Sequence, residues 1–397
     1  YPLRRQRQMC IRDRYYSIVI TNYIQTGKPE IENNGNFDGS WTERAFIGLM
    51  ETSDPASNIW EDKGFVVCSA SDKGKTDYGR SSINDWEGYF KINAIDPTYI
   101  ITENGEHWLI YGSWHSGIAA LQVNPEDGKP LNALGNPWDI TGEDNSGYGK
   151  IIATRGTSRW QASEGPEVIY RDGYYYLFLA YGSLSVEYNT RVCRSRNIDG
   201  PYVDIHGNSA MGSAQLYPIL TAPYRFDNSY GWVGISHCGI FDDGAGNWFY
   251  TSQGRFPVNV GGNEYSNAIM MGHVRSIRWD ANGWPLVMPE RYGAVPQAPI
   301  TENEIAGDWE HLALTNSTGT QRTSETMTYD LGTHKITSGS WKNATWTFDA
   351  ATQTITTSAG VVLYLQREVD WEASPRTHTI VYAAQGNQKT YWGKKLQ

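Results

Sequence analysis

Three stretches of the chain repeat one pattern of apolar and polar positions: a short apolar strand, a glycine turn, and an aromatic strand that ends in small residues. The clearest copy spans residues 163–179, where Asp172-Gly173 separates two apolar runs and gives a strong hairpin signal. The other copies span residues 94–113 and 236–252, with no helical periodicity between them. The pattern predicts an all-β fold. A unit that recurs at a spacing of roughly seventy residues is typical of β-propeller blades.

A polar residue opens each copy at what we interpret as an equivalent position of the repeat: Asp96, Glu164 and His237. The innermost strands of a propeller line one axis, so we expect these three side chains to converge on one pocket. Glu164 lies between aromatic and small residues, where partial burial would raise the pKa of its carboxyl group and suit a proton donor. A surface glutamate before a strand is the alternative interpretation.

The composition changes near residue 290 and predicts two domains. Residues 15–290 carry the repeated units, about four in number, and predict a β-propeller. Residues 289–299 form a proline-containing linker. Residues 300–397 are rich in Thr and Ser and alternate apolar with polar positions, which predicts a small β-barrel or sandwich without a catalytic constellation. Its expected strands cover residues 325–329, 345–348, 354–357, 361–365 and 377–383.

Composition also limits the kinds of partner. Trp and Tyr number 16 and 26 against 10 Phe, and such amphipathic rings stack well on the apolar faces of sugars. The net charge of −10 and the lack of a basic stripe argue against a nucleic-acid partner. No run approaches the roughly 18 apolar residues of a membrane span, so we expect none. The four cysteines are too scattered for a disulfide framework or a zinc site, and they leave the compartment open.

The first 14 residues differ from the rest of the chain. They hold five arginines in an otherwise acidic protein, and they show neither strand alternation nor the apolar core of a signal peptide. Residues 9–14 resemble translated sequencing-adapter sequence. We interpret residues 1–14 as foreign and expect the β pattern to start at Tyr15.

The repeated units resemble a known family. The units around Asp96, Glu164 and His237 are similar to glycoside hydrolase family 43, and within it to endo-α-1,5-L-arabinanases with an appended C-terminal β-domain. Residues 274–284 add to a likeness that covers residues 15–397. The resemblance implies a five-bladed β-propeller that cleaves arabinan, or a related plant cell-wall polysaccharide, with inversion of configuration. It also implies a monomer that acts outside the cell, in the periplasm or at the cell surface.

The resemblance implies roles for single residues. The family uses three carboxylates: a base, an aspartate that orients the acid and modulates its pKa, and a glutamate acid. By motif, Glu164 matches the general acid and Asp96 the modulating aspartate, while His237 matches a histidine that helps to hold a central hydrated Ca2+ ion. For residues 113–118, which follow the aromatic strand of the copy that contains Asp96, an ordinary turn is the alternative to sugar binding. The expected substrate contacts are Trp114, His115, Trp160, Ser163 and Arg255.

One feature of the family is missing from the sequence. The first blade, with the His-Asp-Pro motif that supplies the base, should lie upstream of Tyr15. Asp38 and Asp54 do not replace it, because we interpret the first as a loop residue and the second as part of a turn. We therefore expect the chain as given to lack the base, to be poorly soluble and to be inactive on arabinan. Two alternatives stay open: an exo-acting family-43 arabinofuranosidase or xylosidase, and a non-catalytic carbohydrate-binding propeller.

Overall fold

The structure is a computed structural model in which nearly all of the secondary structure of the described residues is β-strand. It describes residues 12–20, 44–69, 93–114, 117–132, 146–156, 163–213, 215–226 and 229–396. These ranges hold 25 strands and the short helix α1 (Glu302–Ile305). Turns of 3-10 helix cover Pro55–Ser57, Ser146–Tyr148 and Ser266–Ala268. The predicted all-β fold is confirmed, and none of the described helices has the length and hydrophobicity of a membrane span.

Before residue 290 the described strands form four sheets in which sequence neighbours lie side by side. The first contains β1 (Arg12–Ile20), β2 (Arg44–Thr52) and β3 (Glu61–Cys68). The second contains β4 (Thr98–Ile101), β5 (His107–Tyr111), β6 (Ile118–Val123) and β7 (Lys150–Ala153). The third contains β8 (Ser163–Arg171), β9 (Tyr174–Tyr181), β10 (Asn189–Ser195) and β11 (Ile219–Thr221). After the short β12 (Tyr224–Arg225), the fourth contains β13 (Gly239–Asp242), β14 (Trp248–Arg255), β15 (Met270–Trp279) and β16 (Pro285–Val287).

Local turn signals predicted these sheets well. Asp172 and Gly173 have φ angles of 50° and 81°, the left-handed pair that a two-residue hairpin turn requires, so the hairpin between β8 and β9 is confirmed. Asp54 accepts a hydrogen bond from Ala56 N at 3.0 Å and begins a 3-10 turn, which confirms its interpretation as a turn residue. The first strand differs from the prediction. It starts at Arg12 rather than Tyr15, inside the segment that lacks alternation.

The strands after residue 300 form one eight-stranded sheet. They are β17 (Gly307–Leu314), β19 (Glu325–Asp330), β20 (Lys335–Ile336), β21 (Trp346–Asp349), β22 (Thr354–Thr357), β23 (Val362–Asp370), β24 (Thr377–Gly386) and β25 (Lys389–Lys395), while β18 (Arg322–Thr323) pairs with β12 instead. Their order is β20-β19-β17-β25-β24-β23-β22-β21. Hydrogen bonds from Ile336 N to Ala344 O (2.8 Å) and from Trp346 N to His334 O (2.9 Å) link the two ends of the sheet. The five predicted strands are present, whereas β17, β25 and the two-residue strands β18 and β20 were not predicted.

Contacts within the chain divide it into two compact units. The first comprises residues 1–177, 194–202 and 209–214, and the second residues 178–193, 203–208 and 215–397. In the first unit, Val67, Leu109 and Tyr111 belong to a cluster of buried apolar side chains. This cluster packs the first sheet against the second sheet, which carries β4 and β5.

In the second unit, the fourth sheet and the eight-stranded sheet share a core. Trp232, Leu286 and Trp392 pack in one buried cluster, and Trp392 Nε1 donates to Val287 O at 2.8 Å. This compact unit includes residues on both sides of the predicted boundary between residues 290 and 300, because the C-terminal sheet packs directly on strands that precede the linker. The division into two domains stays a prediction.

Candidate active site

Asp96 and Glu164 lie at the starts of neighbouring strands in the first unit. β4 and β8 are side by side, and Thr98 Oγ1 on β4 donates to Glu167 Oε2 on β8 at 2.9 Å. Asp96 lies just before β4, and Glu164 is near the start of β8. The Gly165 N–H donates to Asp96 Oδ2 at 3.2 Å, which joins the Asp96 carboxylate to the backbone beside Glu164. The structure thus brings two of the three strand-opening residues together.

The backbone shows that Gly165, rather than Glu164, is equivalent to Asp96 in the repeat. Asp96 and Gly165 both have a φ of 55° and both precede a proline, and His237, just before β13, has a φ of 58°. We expected Asp96, Glu164 and His237 to occupy equivalent positions of the repeat, but Glu164 lies one residue before the position that matches Asp96. Left-handed φ at a non-glycine residue costs about 1–3 kcal/mol and tends to concentrate at functional sites. Asp96 and His237 both carry this cost.

The half-buried carboxylate of Glu164 accepts two hydrogen bonds on one oxygen. Ser113 Oγ donates to Oε2 at 2.9 Å, and Trp114 Nε1 donates to the same atom at 2.8 Å. Both donors follow β5, and Ser113 is only 1% exposed. Ser113 was not among the predicted site residues. Its place directly after the aromatic strand of the copy that contains Asp96 is the signal that could have found it.

The other predicted substrate contacts of this region are only partly described. Ser163 is buried, and its carbonyl oxygen accepts a hydrogen bond from Trp114 N at 2.9 Å, so both residues lie beside Glu164. His115 and Trp160 lie outside the described residues. Contact of any of these four residues with a sugar stays a prediction.

His237 lies in the second unit, where its imidazole is exposed above a set of buried hydroxyl groups. Tyr188 OH is 3.5 Å from His237 Nδ1. The preceding residue, Ser236, is fully buried, and its Oγ lies 2.8 Å from Thr190 Oγ1, which in turn lies 2.7 Å from Tyr250 OH. These contacts hold the backbone that presents His237. Its convergence with Asp96 and Glu164 stays a prediction.

The surroundings of His237 fit a calcium ion only in part. Calcium takes about six to eight oxygen ligands. In the part of the chain that the structure describes, His237 belongs to no group of three or more His, Cys, Asp or Glu side chains close enough to share an ion. Among these side chains, only the imidazole of His237 is placed to bind the ion, so water would have to supply most of the coordination shell of the calcium ion.

Arg255, the last residue of β14, is also in the second unit. Its Nη1 donates to Asn267 O at 3.0 Å, and its Nη2 donates to Met270 Sδ at 3.1 Å. Backbone hydrogen bonds pair Arg255 with Val233 in both directions. These contacts fix the guanidinium group, while its role as a substrate contact stays a prediction.

Comparison with sequence families gives two matches. Residues 46–285, more than half of the chain, match the family described as glycosyl hydrolases family 43. The chain belongs to glycosyl hydrolase family 43. Residues 289–393 of this family-43 chain match a C-terminal lipocalin-like domain. The resemblance stated from the sequence is confirmed.

Two relatives of the family-43 chain are each 30% identical to it over the matched region. The extracellular endo-α-(1→5)-L-arabinanase 2 of Bacillus subtilis is 30% identical over 240 residues, which cover 55% of this chain and 46% of the relative. The extracellular endo-α-(1→5)-L-arabinanase of Thermotoga petrophila is 30% identical over 239 residues, with the same coverage. The chain thus spans about half the length of the curated relatives it matches.

Solved structures share the fold of the family-43 chain. The endo-1,5-α-L-arabinanase of Thermotoga petrophila aligns with a TM-score of 0.73 and 24% identity, over 98% of this chain and 82% of that structure. The family-43 YxiA protein of Bacillus licheniformis aligns with a TM-score of 0.71 and 23% identity, over 89% and 80% of the two chains. At this identity, the likeness establishes the fold alone.

A second group of carboxylates in the family-43 chain surrounds a buried lysine. Lys394 and Glu290 are each 1% exposed. The Lys394 Nζ atom lies 2.8 Å from Glu372 Oε2, 2.9 Å from Asp370 Oδ1, 3.3 Å from Glu290 Oε1 and 3.5 Å from Glu310 Oε2. The Glu290 oxygen is within ion-pair distance but lacks hydrogen-bond geometry. We refer to these five residues as the lysine cluster.

The residues of the lysine cluster shift one another's pKa values. Burial and the neighbouring Glu372 raise the pKa of Glu290. Burial acts on Glu372 in the same sense, but the hydrogen bond from Glu290 and the charge of Lys394 hold the pKa of Glu372 below its usual range. Burial opposes the charge of Lys394, yet Glu290 and Glu372 raise the pKa of Lys394. The ammonium group already supplies the positive charge that a metal ion would bring, so we interpret the cluster as structural.

Proposed function

We propose that the protein hydrolyses internal α-1,5 linkages of L-arabinan with inversion of configuration, and that Glu164 is its proton donor. The observation that carries the proposal is the Glu164 carboxylate, held by Ser113 and Trp114 next to a backbone N–H that binds Asp96. Membership of family 43 and the arabinanase names of the relatives support the reaction and the substrate. Those names also support an extracellular location.

The proposed reaction divides the work between two faces of the sugar. Glu164 gives a proton to the glycosidic oxygen as the bond to the anomeric carbon breaks. Water attacks that carbon from the opposite face and loses a proton to a base, with the acid and base carboxyl groups roughly 6.5–9.5 Å apart. Asp96 orients the strand that carries Glu164 through Gly165 N–H, and its negative charge favours a proton on a neighbouring carboxyl group. No step in this scheme uses a metal ion.

The base is not assigned to a residue of this chain. None of its eight histidines is followed by aspartate, so the expected His-Asp-Pro motif does not occur in the sequence. The five-bladed propeller and the missing base stay predictions. For this reason, the activity experiments below use the full-length gene product.

The test of the proposed function is the digestion of linear α-1,5-L-arabinan by the full-length gene product. We expect a ladder of oligosaccharides early in the digestion, as internal cleavage produces, and proton NMR should show the β-anomer before mutarotation. Release of a single short product from the start would instead indicate an exo-acting enzyme. Binding to arabinan in affinity electrophoresis without new reducing ends would contradict the proposal and indicate a carbohydrate-binding propeller.

We also propose that His237 anchors a hydrated calcium ion, and this proposal predicts a chelator effect. An ion that binds only the folded state adds about 2.7 kcal/mol when its concentration is a hundred times the Kd. EDTA should therefore lower the Tm of the unaltered full-length protein, and His237→Ala should remove the response. The control is His206→Ala, because His206 is an exposed histidine of the same unit. Equal Tm values with and without EDTA in the unaltered protein would leave His237 as an ordinary exposed histidine.

A further inference from the structure

A single turn connects the two carboxylates of the candidate site. Residues 112–114 follow β5, and Gly112 N donates to Ile95 O, next to Asp96, at 3.0 Å. Trp114 N donates to Ser163 O, next to Glu164, at 2.9 Å. We call residues 112–114 the clamp turn. The backbone of the clamp turn thus forms hydrogen bonds with the residues that precede Asp96 and Glu164.

The clamp turn has a backbone that few sequences can adopt. Gly112 has a φ of 132°, and a Cβ atom there would lie 2.5 Å from Gly117 O, so only glycine fits. Trp114 has a φ of 59°, which is uncommon for a bulky residue. Such strain persists only where the surroundings over-determine the conformation. Here the hydrogen bonds of Trp114 N to Ser163 and of its indole to Glu164 do so.

The chemistry of the two donors determines which oxygen of Glu164 can carry a proton. The indole Nε1–H of tryptophan is a donor and never an acceptor. Glu164 Oε2 must therefore present a lone pair to Trp114, and the Ser113 hydroxyl donates to a second site on the same atom. A proton on Oε2 would crowd the indole N–H and would require the Ser113 hydroxyl to accept instead of donate, so the observed arrangement favours a proton on Oε1.

We propose that Ser113 and Trp114 are positioning residues that fix the side chain of Glu164 and make Oε1 the atom that delivers the proton. The inference rests on the proposed function, because it presumes that Glu164 is a proton donor. It gives Trp114 a role other than the sugar contact expected from the sequence, since its indole N–H is used on Glu164.

The first test is kinetic and uses the full-length gene product. Trp114→Phe removes the N–H but keeps an aromatic ring, and Ser113→Ala removes the hydroxyl. We expect each to lower kcat about tenfold or more with little change in KM, because each removes a hydrogen bond to a charged group. The loss should be larger on arabinan than on aryl arabino-oligosaccharides with acidic phenol leaving groups, which need less protonation. The control is Trp108→Phe, because Trp108 Nε1 donates to a different carboxylate, Glu106 Oε2, at 3.3 Å.

The second test does not need activity. In protein labelled with 15N-tryptophan, the Trp114 indole resonance is identified by its absence from Trp114→Phe. Glu164→Ala should move this resonance upfield and speed its exchange with water, while the Trp108 resonance stays in place. A Trp114 resonance that ignores Glu164→Ala overturns the inference, whatever the activity.

The outcomes separate the inference from the proposed function. The first outcome is that hydrolysis depends on Glu164, but Trp114→Phe and Ser113→Ala lower kcat by the same factor for every leaving group. This outcome overturns the inference and leaves the proposed function intact, because altered packing would explain such a loss. Hydrolysis that does not depend on Glu164 contradicts the proposed function, even if the indole resonance responds. The inference holds when the resonance responds and the loss grows with the basicity of the leaving group.

Discussion

Replacing Glu164 by glutamine in the full-length gene product is expected to lower kcat on linear arabinan by about 10²–10⁴-fold, the usual contribution of general acid catalysis. Glutamine keeps the size of the side chain and can still accept from Ser113 and Trp114, but it cannot give a proton to the glycosidic oxygen. The deficit should shrink on aryl arabino-oligosaccharides whose phenol leaves without protonation. The measurement is kcat on both substrates with equal Tm values for the two proteins.

The matched control for this substitution lies on the same strand. Glu167→Gln also removes a carboxylate from β8, where Glu167 Oε2 accepts a hydrogen bond from Thr98. We expect it to keep most of the activity, because the proposed reaction gives this group no step. An equal loss on arabinan and on activated aryl substrates in Glu164→Gln would argue against the proton-donor role.

The carboxylate pair was accessible from the sequence because hairpin signals are local. The Asp172-Gly173 turn and the aromatic run after it locate the hairpin that contains Glu164. A similar turn locates the unit that follows Asp96. The side-by-side packing of β4 and β8 then brings the two strand starts together. Locating the two hairpins needed only local turn signals and the repeat.

The details of the site were not accessible from the sequence. The left-handed backbone falls on Asp96 and Gly165, and the hydrogen bond that joins them spans 69 positions of the chain. Ser113 contacts a residue 51 positions later in the chain. Whether its hydroxyl reaches Glu164 depends on the register between two sheets, and residue type does not reveal that register.

β17 and β25 were missed because several of their buried positions carry ionisable side chains. Glu310 and Lys394 are cross-strand partners on β17 and β25, and both are buried. The neighbouring His311 is also buried, and burial lowers the pKa of His311 to about 3. Sequence patterns treat such residues as solvent-facing, since Lys and Glu are almost never fully buried unless paired. Each strand therefore looks polar until its partner is known.

The same pairing makes Lys394 the residue whose loss should cost the most stability. Its ammonium group lies among four carboxylates and is 1% exposed. Breaking a buried ion pair on one side leaves uncompensated charge and costs about 3–5 kcal/mol. Lys394→Met keeps the apolar stem, so the loss isolates the charge. We expect the Tm at pH 7.5 to fall by roughly 10 °C in scanning calorimetry.

The control for this variant is Lys389→Met on the same strand. Lys389 is exposed, so the substitution should leave the Tm nearly unchanged. Surface substitutions away from such features usually change stability by less than about 0.5 kcal/mol. A similar drop in both variants would show that the loss comes from strand propensity rather than from the buried charge.

The pH dependence separates lost charge from lost packing in Lys394→Met. In the unaltered protein the pKa of Glu372 is held below its usual range, against burial, by Glu290 and by Lys394. Such a depressed carboxyl pKa contributes stability above the unfolded value of about 4.3, and this stability is lost as pH falls through the folded value. Without Lys394 that contribution disappears, and the buried carboxylates must take up protons to stay in the core. The Tm deficit of Lys394→Met should therefore be large at pH 7.5 and shrink towards pH 4, whereas a deficit that is constant between these pH values would indicate packing alone.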